Sequence, residues 1–301
     1  MKKILNDNDF VYSNYKKYIS FLNKKFASIT VADCGKSVLG KTIFGLVIGE
    51  GSENILYVGG THGLEWITSL LLLRFTENLT EAYENNGCIC GFNVTDILKN
   101  KRLIIIPELN PDGIDISLTG EEGCGIYKQQ NLAICNGDFS GWSANARGVD
   151  INHNFNADWY SLREKEEKEN IFGPSPRRYG GSYPESEPET KAITRLCRNI
   201  DISLLVTFHS QGEEIYYEYG NNTPEKSLYI AKMLSSVTDY TLVKNEGLAS
   251  SGGLKDWFIE EFRKPAFTIE AGKGKNPLPL TDFNKIYRRL EVMMITGLLF
   301  L

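Results

Sequence analysis

The chain is expected to fold as one α/β domain over residues 1–301, a mixed, mostly parallel twisted sheet with helices on both faces. Three observations predict this. Apolar runs of strand length alternate with helical patterns along the chain, and no Pro/Gly/Ser-rich linker, internal repeat or low-complexity tract divides it. Three side chains that can do chemistry, His62, His209 and Glu270, come at or just past the ends of expected strands. Open α/β sheets place their sites beyond the carboxyl ends of strands.

Taken in order, residues 12–26 carry Tyr, Ile, Phe and Leu at helical spacing and are expected to form an amphipathic helix. Residues 42–48 and 55–58 are expected strands, the second ended by Gly59-Gly60, and the Leu-rich residues 67–79 an expected helix. Residues 103–106 form a buried-type strand stopped by Pro107. Residues 113–183, rich in Gly, Asn, Asp and Pro, are expected to be long loops, with the charge run 164–169 a solvated face. Ser186-Glu187-Pro188-Glu189 has the spacing of a capping box, which should open a helix to about Asn199. Residues 203–208, 215–219 and 266–269 are expected strands. Residues 225–236, 254–261 and 282 to the C-terminus are expected helices.

The composition, 42% hydrophobic and 24% charged, supplies enough apolar material for a sizeable core. A net charge of −5 argues against nucleic acid, whose phosphates need a basic face, and against an anionic membrane surface. No run approaches the roughly 20 apolar residues that span a bilayer. The N-terminal Met-Lys-Lys-Ile-Leu-Asn-Asp-Asn-Asp lacks the apolar stretch of a signal peptide, so a cytoplasmic setting is expected. Six cysteines without metal-finger spacing are expected to be reduced thiols with no assigned chemistry.

The chain has only three histidines, His62, His153 and His209. In His62-Gly63-Leu64-Glu65 an imidazole and a carboxylate stand three residues apart just past a strand. A turn there can aim both at one cation, because zinc accepts nitrogen and carboxylate oxygen at similar distances. An H-x-x-E pattern alone is weak, and a structural histidine would explain it as well. His209 at a second strand end can supply a third ligand, leaving one coordination position for water, and Glu270 at a third strand end completes a catalytic set.

Gly59-Gly60-Thr61-His62-Gly63-Leu64-Glu65-Trp66, Gly148-Val149-Asp150-Ile151-Asn152, Thr207-Phe208-His209-Ser210 and Phe267-Thr268-Ile269-Glu270, in that order, resemble the zinc carboxypeptidase family. Gly252-Gly253 followed by Asp256-Trp257 fits its late segment. The resemblance implies one Zn²⁺ per chain held by His62, Glu65 and His209. It implies Glu270 as the general base that takes a proton from water and later gives it to the leaving amine. Arg147 is near the family's oxyanion-stabilising arginine, and Asn152 matches the asparagine of its carboxylate-binding pair.

Two departures stand out. Where the family follows that asparagine with an arginine, this chain has His153, which lacks the arginine's bidentate fork and fixed charge. Three residues before the Ser251-Gly252-Gly253 stretch the family carries a tyrosine; this chain has Leu248. Asn152-His153-Asn154-Phe155, His209-Ser210-Gln211-Gly212-Glu213, Asn245-Glu246-Gly247-Leu248-Ala249 and Gly272-Lys273-Gly274 resemble one branch, the γ-D-glutamyl-meso-diaminopimelate endopeptidases. That branch implies a small murein peptide as substrate, with His153 beside Arg147 and Asn152 on a carboxylate of diaminopimelate. Glu213 and Glu214 are candidates for reading the distal end of that residue. An N-acyl amino acid deacylase and a catalytically silent peptide-binding module are the competing expectations.

Overall fold

The computed structural model describes residues 10–244 and 251–299. The strands are β1 (Thr30–Lys36), β2 (Thr42–Ile48), β3 (Glu53–Val58), β4 (Cys88–Ile89), β5 (Phe92–Asn93), β6 (Lys101–Ile106), β7 (Ile202–His209), β8 (Glu214–Tyr216), β9 (Thr241–Val243) and β10 (Ala266–Glu270). Eight of them form one sheet in the order β1-β2-β6-β3-β7-β10-β8-β9, and β4 with β5 makes a separate hairpin. The centre, β6-β3-β7-β10, is parallel throughout. Antiparallel pairs flank it, β1 and β2 on one side and β8 on the other.

The helices are α1 (Tyr12–Lys25), α2 (Ile67–Glu84), α3 (Val94–Leu98), α4 (Pro111–Thr119), α5 (Lys128–Cys135), α6 (Trp159–Lys168), α7 (Pro188–Asn199), α8 (Glu225–Thr238), α9 (Leu254–Phe262) and α10 (Phe283–Gly297). A parallel sheet needs cover on both faces, so its strands run apolar without alternation. Ile55, Tyr57, Leu103, Ile105, Val206 and Phe208 face a core shared with α1, α2, α8 and α10. Their neighbours Leu56, Val58, Ile104, Ile106 and Leu205 face a second core with α7 and α9. The two-residue period of a strand divides one apolar run between two cores.

Residues 113–183 differ from the expected loops. They carry most of α4, all of α5 and α6, and a small core of Ile116, Cys124, Cys135, Trp142, Ala144 and Ala146. A start signal for α4 is present in Asn110-Pro111-Asp112-Gly113: the Asn110 side chain accepts from the Gly113 N–H at 2.9 Å, with proline in the first turn. The charge run 164–169 is no simple solvated face, because Glu166 in α6 is fully buried against Arg163 and His153. The helix expected after Ser186 does begin at Pro188, but without a capping box. Ser186 Oγ instead meets Asn154 and Glu187, and Glu189 accepts from the Val38 N–H. β1 and β9 were not expected, and the strand placed at 215–219 is the shorter β8. Residues 245–249, including Leu248, lie outside the described residues.

Leu72 in α2 is fully buried and packs on Gly59, the residue that follows β3. Leu72→Ala should cost about 2–5 kcal/mol in denaturant unfolding. A loss under about 1 kcal/mol would contradict this packing.

Candidate metal centre and active site

β3, β7 and β10 lie side by side and parallel, so their carboxyl ends open on one edge of the sheet. In register, Val58 pairs with Thr207 and His209 with Glu270. His62, four residues past β3, is extended; the 3-10 turn Gly63–Glu65 then swings Glu65 back beside it. That turn seats so closely that a Cβ on Gly63 would lie 2.3 Å from the Gly113 carbonyl oxygen and 2.7 Å from that of Trp142. Glycine is required there for the approach itself.

The three side chains converge. Glu65 Oε1 lies 2.9 Å from His62 Nδ1, and Glu65 Oε2 lies 3.0 Å from His209 Nδ1. The two Nδ1 atoms stand 3.3 Å apart. Two imidazole nitrogens that close can share at most one proton, and the carboxylate between them only accepts. Three lone-pair donors aimed at one point suit a cation, and two nitrogens with a carboxylate oxygen are a zinc donor set with room for water. These three residues are the one group of His, Cys, Asp and Glu ligands with this convergence among the described residues.

Behind them stands Asp150, which has no assigned role in the sequence reading. Its Oδ1 lies 3.1 Å from His62 Nε2, fixing that ring so that Nδ1 faces the other ligands. Its Oδ2 accepts the Arg178 N–H at 2.8 Å. Burial disfavours every charge in this group, but the charges outweigh it. Glu65 and Asp150 hold the His62 pKa well above its ordinary value. His62 and His209 in turn lower Glu65 to about 2, and His62 and His153 hold Asp150 well below the usual carboxylate range.

A cavity of about 270 Å³ brings together His62, His209, Glu270, Asn152 and His153. Burial, then the charge of Glu65, pushes the Glu270 pKa well above the carboxylate range, against the opposing pull of His62. A dication at the triad would draw it back down. Asn152 is oriented by the Leu254 N–H, which donates to its Oδ1 at 3.1 Å. The Nδ1 atom of His153 lies 3.1 Å from Glu166 Oε1 and 2.9 Å from the Arg178 carbonyl. Burial opposes charge on His153, but Asp150, Glu166 and that carbonyl raise its pKa.

Arg147 is not brought in. Its guanidinium lies 3.3 Å from the Tyr127 hydroxyl and 3.4 Å from Glu187, apart from the residues that line the cavity. Glu213 pairs with Arg289 at 2.6 Å and Glu214 accepts from Tyr216 at 2.8 Å, and neither is among the residues that line the cavity. The wall contains instead Arg178, Lys255 and Asp256. Lys255 and Asp256 follow the Gly252-Gly253 pair and could have been suspected from it; nothing in the sequence marks Arg178.

In the metal-free protein His62 binds its proton more tightly folded than unfolded. Its contribution to stability is complete below about pH 6.5 and is lost as pH rises through the raised value. Glu270, kept neutral by burial, acts in the same direction above about pH 4.3. A metal replaces the His62 proton. The Tm of chelator-stripped protein should therefore fall more steeply as pH rises above about 6.5 than that of zinc-loaded protein. Equal slopes would mean that these groups do not hold the metal.

A gamma-D-glutamyl-L-diamino acid endopeptidase 1 from Lysinibacillus sphaericus is 33% identical over 292 residues, covering 96% of this chain and 72% of the relative. Bovine thrombin-activatable fibrinolysis inhibitor, solved with tick carboxypeptidase inhibitor, superposes with TM-score 0.73 at 20% identity, covering 96% of this chain and 95% of that one. The murein-tripeptide amidase MpaA from Escherichia coli O157 superposes with TM-score 0.55 at 19% identity, covering 88% and 91%. The zinc carboxypeptidase family model matches residues 15–291, and a donor set suited to zinc stands at the strand ends that the fold brings together. The chain belongs to the zinc carboxypeptidase family, whose members hydrolyse peptide bonds with zinc.

Proposed function

We propose that the protein hydrolyses the γ-D-glutamyl–diaminopimelate amide of murein peptides. The observation that carries this reading is a buried pair in the cavity wall. Lys255 and Asp256, each about 3% exposed, place an ammonium and a carboxylate side by side, with Lys255 also donating to the Glu218 carbonyl at 2.8 Å. A buried ion pair stabilises a fold poorly, so its place in the cavity wall favours a ligand-binding role over a structural one. A substrate side chain that ends in its own amino acid brings the complementary carboxylate and ammonium. The names of the Lysinibacillus sphaericus relative, which acts on γ-D-glutamyl-diamino acid bonds, and of the murein-tripeptide amidase support the same class.

Zinc, when held by His62, Glu65 and His209, supplies Lewis acidity that polarises an amide carbonyl and acidifies water. Glu270 accepts the proton from water and returns it to the leaving amine, a task that its buried position and its neighbour's charge suit. Asn152, held by the backbone of α9, orients the substrate end. Arg147 has no step in this reading, because it is not among the residues that line the cavity. Intact ligands, an intact Asp150 support and Glu270 in the same cavity argue against a silent binding module.

Mass spectrometry after incubation with L-Ala-γ-D-Glu-meso-diaminopimelate should detect released diaminopimelate. Glu270→Gln should lose about 10²–10⁴-fold in kcat while keeping its zinc. Turnover of an N-acyl amino acid or a C-terminally blocked dipeptide, without cleavage of the tripeptide, would sink the murein reading. Near-normal turnover by Glu270→Gln would sink the mechanism.

A further inference from the structure

We infer that Arg178 is the specificity residue that takes the main-chain carboxylate of the substrate, with His153 a positioning residue that holds Arg178 by its backbone. The inference rests on the peptidase reading above and adds to it the group that selects peptides ending in a free carboxylate.

Arg178 belongs to the wall of the cavity that His62, His209 and Glu270 share. Its backbone is left-handed, with φ 70°, a region that side chains rarely adopt. Two hydrogen bonds hold it there. Its N–H donates to Asp150 Oδ2 at 2.8 Å, and its carbonyl accepts from His153 Nδ1 at 2.9 Å. Both partners belong to the site, so the conformation is fixed from the metal side. Strain maintained by site residues is a pointer to function.

The guanidinium meets Glu169 at 2.6 Å, with both side chains nearly half exposed. Such a surface pair is weak and can be exchanged for another carboxylate. A planar guanidinium can offer that carboxylate two parallel N–H donors. His153 is less able to do so. Its Nδ1 is already engaged by the Arg178 carbonyl and by Glu166, whose fully buried carboxylate also pairs with Arg163. Lys255 lies at the buried extreme of the same wall and Arg178 at its exposed extreme. Diaminopimelate carries two carboxylates, and the wall presents two cations at different depths.

The zinc-loaded protein is assayed on L-Ala-γ-D-Glu-meso-diaminopimelate and on the same tripeptide with the main-chain carboxyl of diaminopimelate converted to a carboxamide. Arg178→Ala should lower the acid-to-amide ratio of kcat/KM by about ten- to a hundredfold, mostly through KM. Arg178→Lys, which keeps the charge without the fork, should fall between. His153→Gln can still donate to the Arg178 carbonyl and should retain the ratio better than His153→Ala. His153→Ala combined with Arg178→Ala should lose no more than Arg178→Ala alone. An unchanged ratio in Arg178→Ala at full zinc content overturns the inference and leaves the peptidase reading standing. A further loss in the double variant overturns the positioning role of His153. If the unsubstituted protein cleaves neither tripeptide, the peptidase reading falls and takes this inference with it.

Discussion

Much of the site hangs on the Asp150 carboxylate, one oxygen of which meets His62 Nε2 at 3.1 Å while the other accepts the Arg178 N–H at 2.8 Å. A single rigid group thus ties a metal ligand to the cavity wall. The carboxylate is held in turn by its own chain: Oδ1 also accepts the Asn152 N–H at 3.1 Å, which shapes the 3-10 turn Ile151–His153. Asn145 sets up the approach to that turn. Its Oδ1 accepts from the N–H groups of Arg147 and Val149, and its amide donates to Glu187 at 2.8 Å and Glu189 at 3.2 Å. A segment with little regular structure is made specific by buried and partly buried polar contacts, where a lost partner is expensive.

The charge distribution follows from the same economy of water. Burial alone would neutralise every acid and base near the strand ends. His62, Glu65 and Asp150 escape because each charge faces an opposite one. Glu270 does not, since its nearest strong neighbours include another carboxylate, and its pKa is pushed up. Further back, Glu189 is pushed up to about 8 by burial and then by Asp112, and it serves the fold as an acceptor for the Val38 N–H. Acids in similar surroundings are divided between charged and neutral forms by their partners rather than by depth.

The sequence was most legible where one periodicity dominates. The central strands β3, β6, β7 and β10 and the long helices α1, α2, α8 and α10 read directly, because their apolar runs report two-sided or one-sided burial. The ligands read well because His62, Glu65, His209 and Glu270 fall at strand ends, a position with its own chemical meaning. Legibility failed where stability comes from long-range polar contacts. α5 and α6 are short and weakly amphipathic, and the burial of Glu166 depends on Arg163 and His153, the latter outside its own helix. Edge strands β1 and β9 lack a run of core residues. Arg147, expected at the site from its nearness to the family's oxyanion-stabilising arginine, meets Tyr127 and Glu187 instead, because a match in a loop that differs does not fix which way the side chain turns. Arg178 was invisible because only tertiary structure carries it to the cavity.

The pairing of His209 with Glu270 across β7 and β10 makes the sheet a ruler for the chemistry. Neighbouring strands sit about 4.8 Å apart and residues along a strand advance by about 3.3 Å. The spacing between the proton acceptor and the metal ligand can therefore change only in whole steps, and a one-residue slip would turn Glu270 to the opposite face. Between those steps the chain can adjust reach only by side-chain length, as between glutamate and aspartate. The distance that catalysis needs is thus stored in backbone hydrogen bonds well inside the molecule. Variation in the surrounding loops can alter what is cut while the cutting distance stays the same.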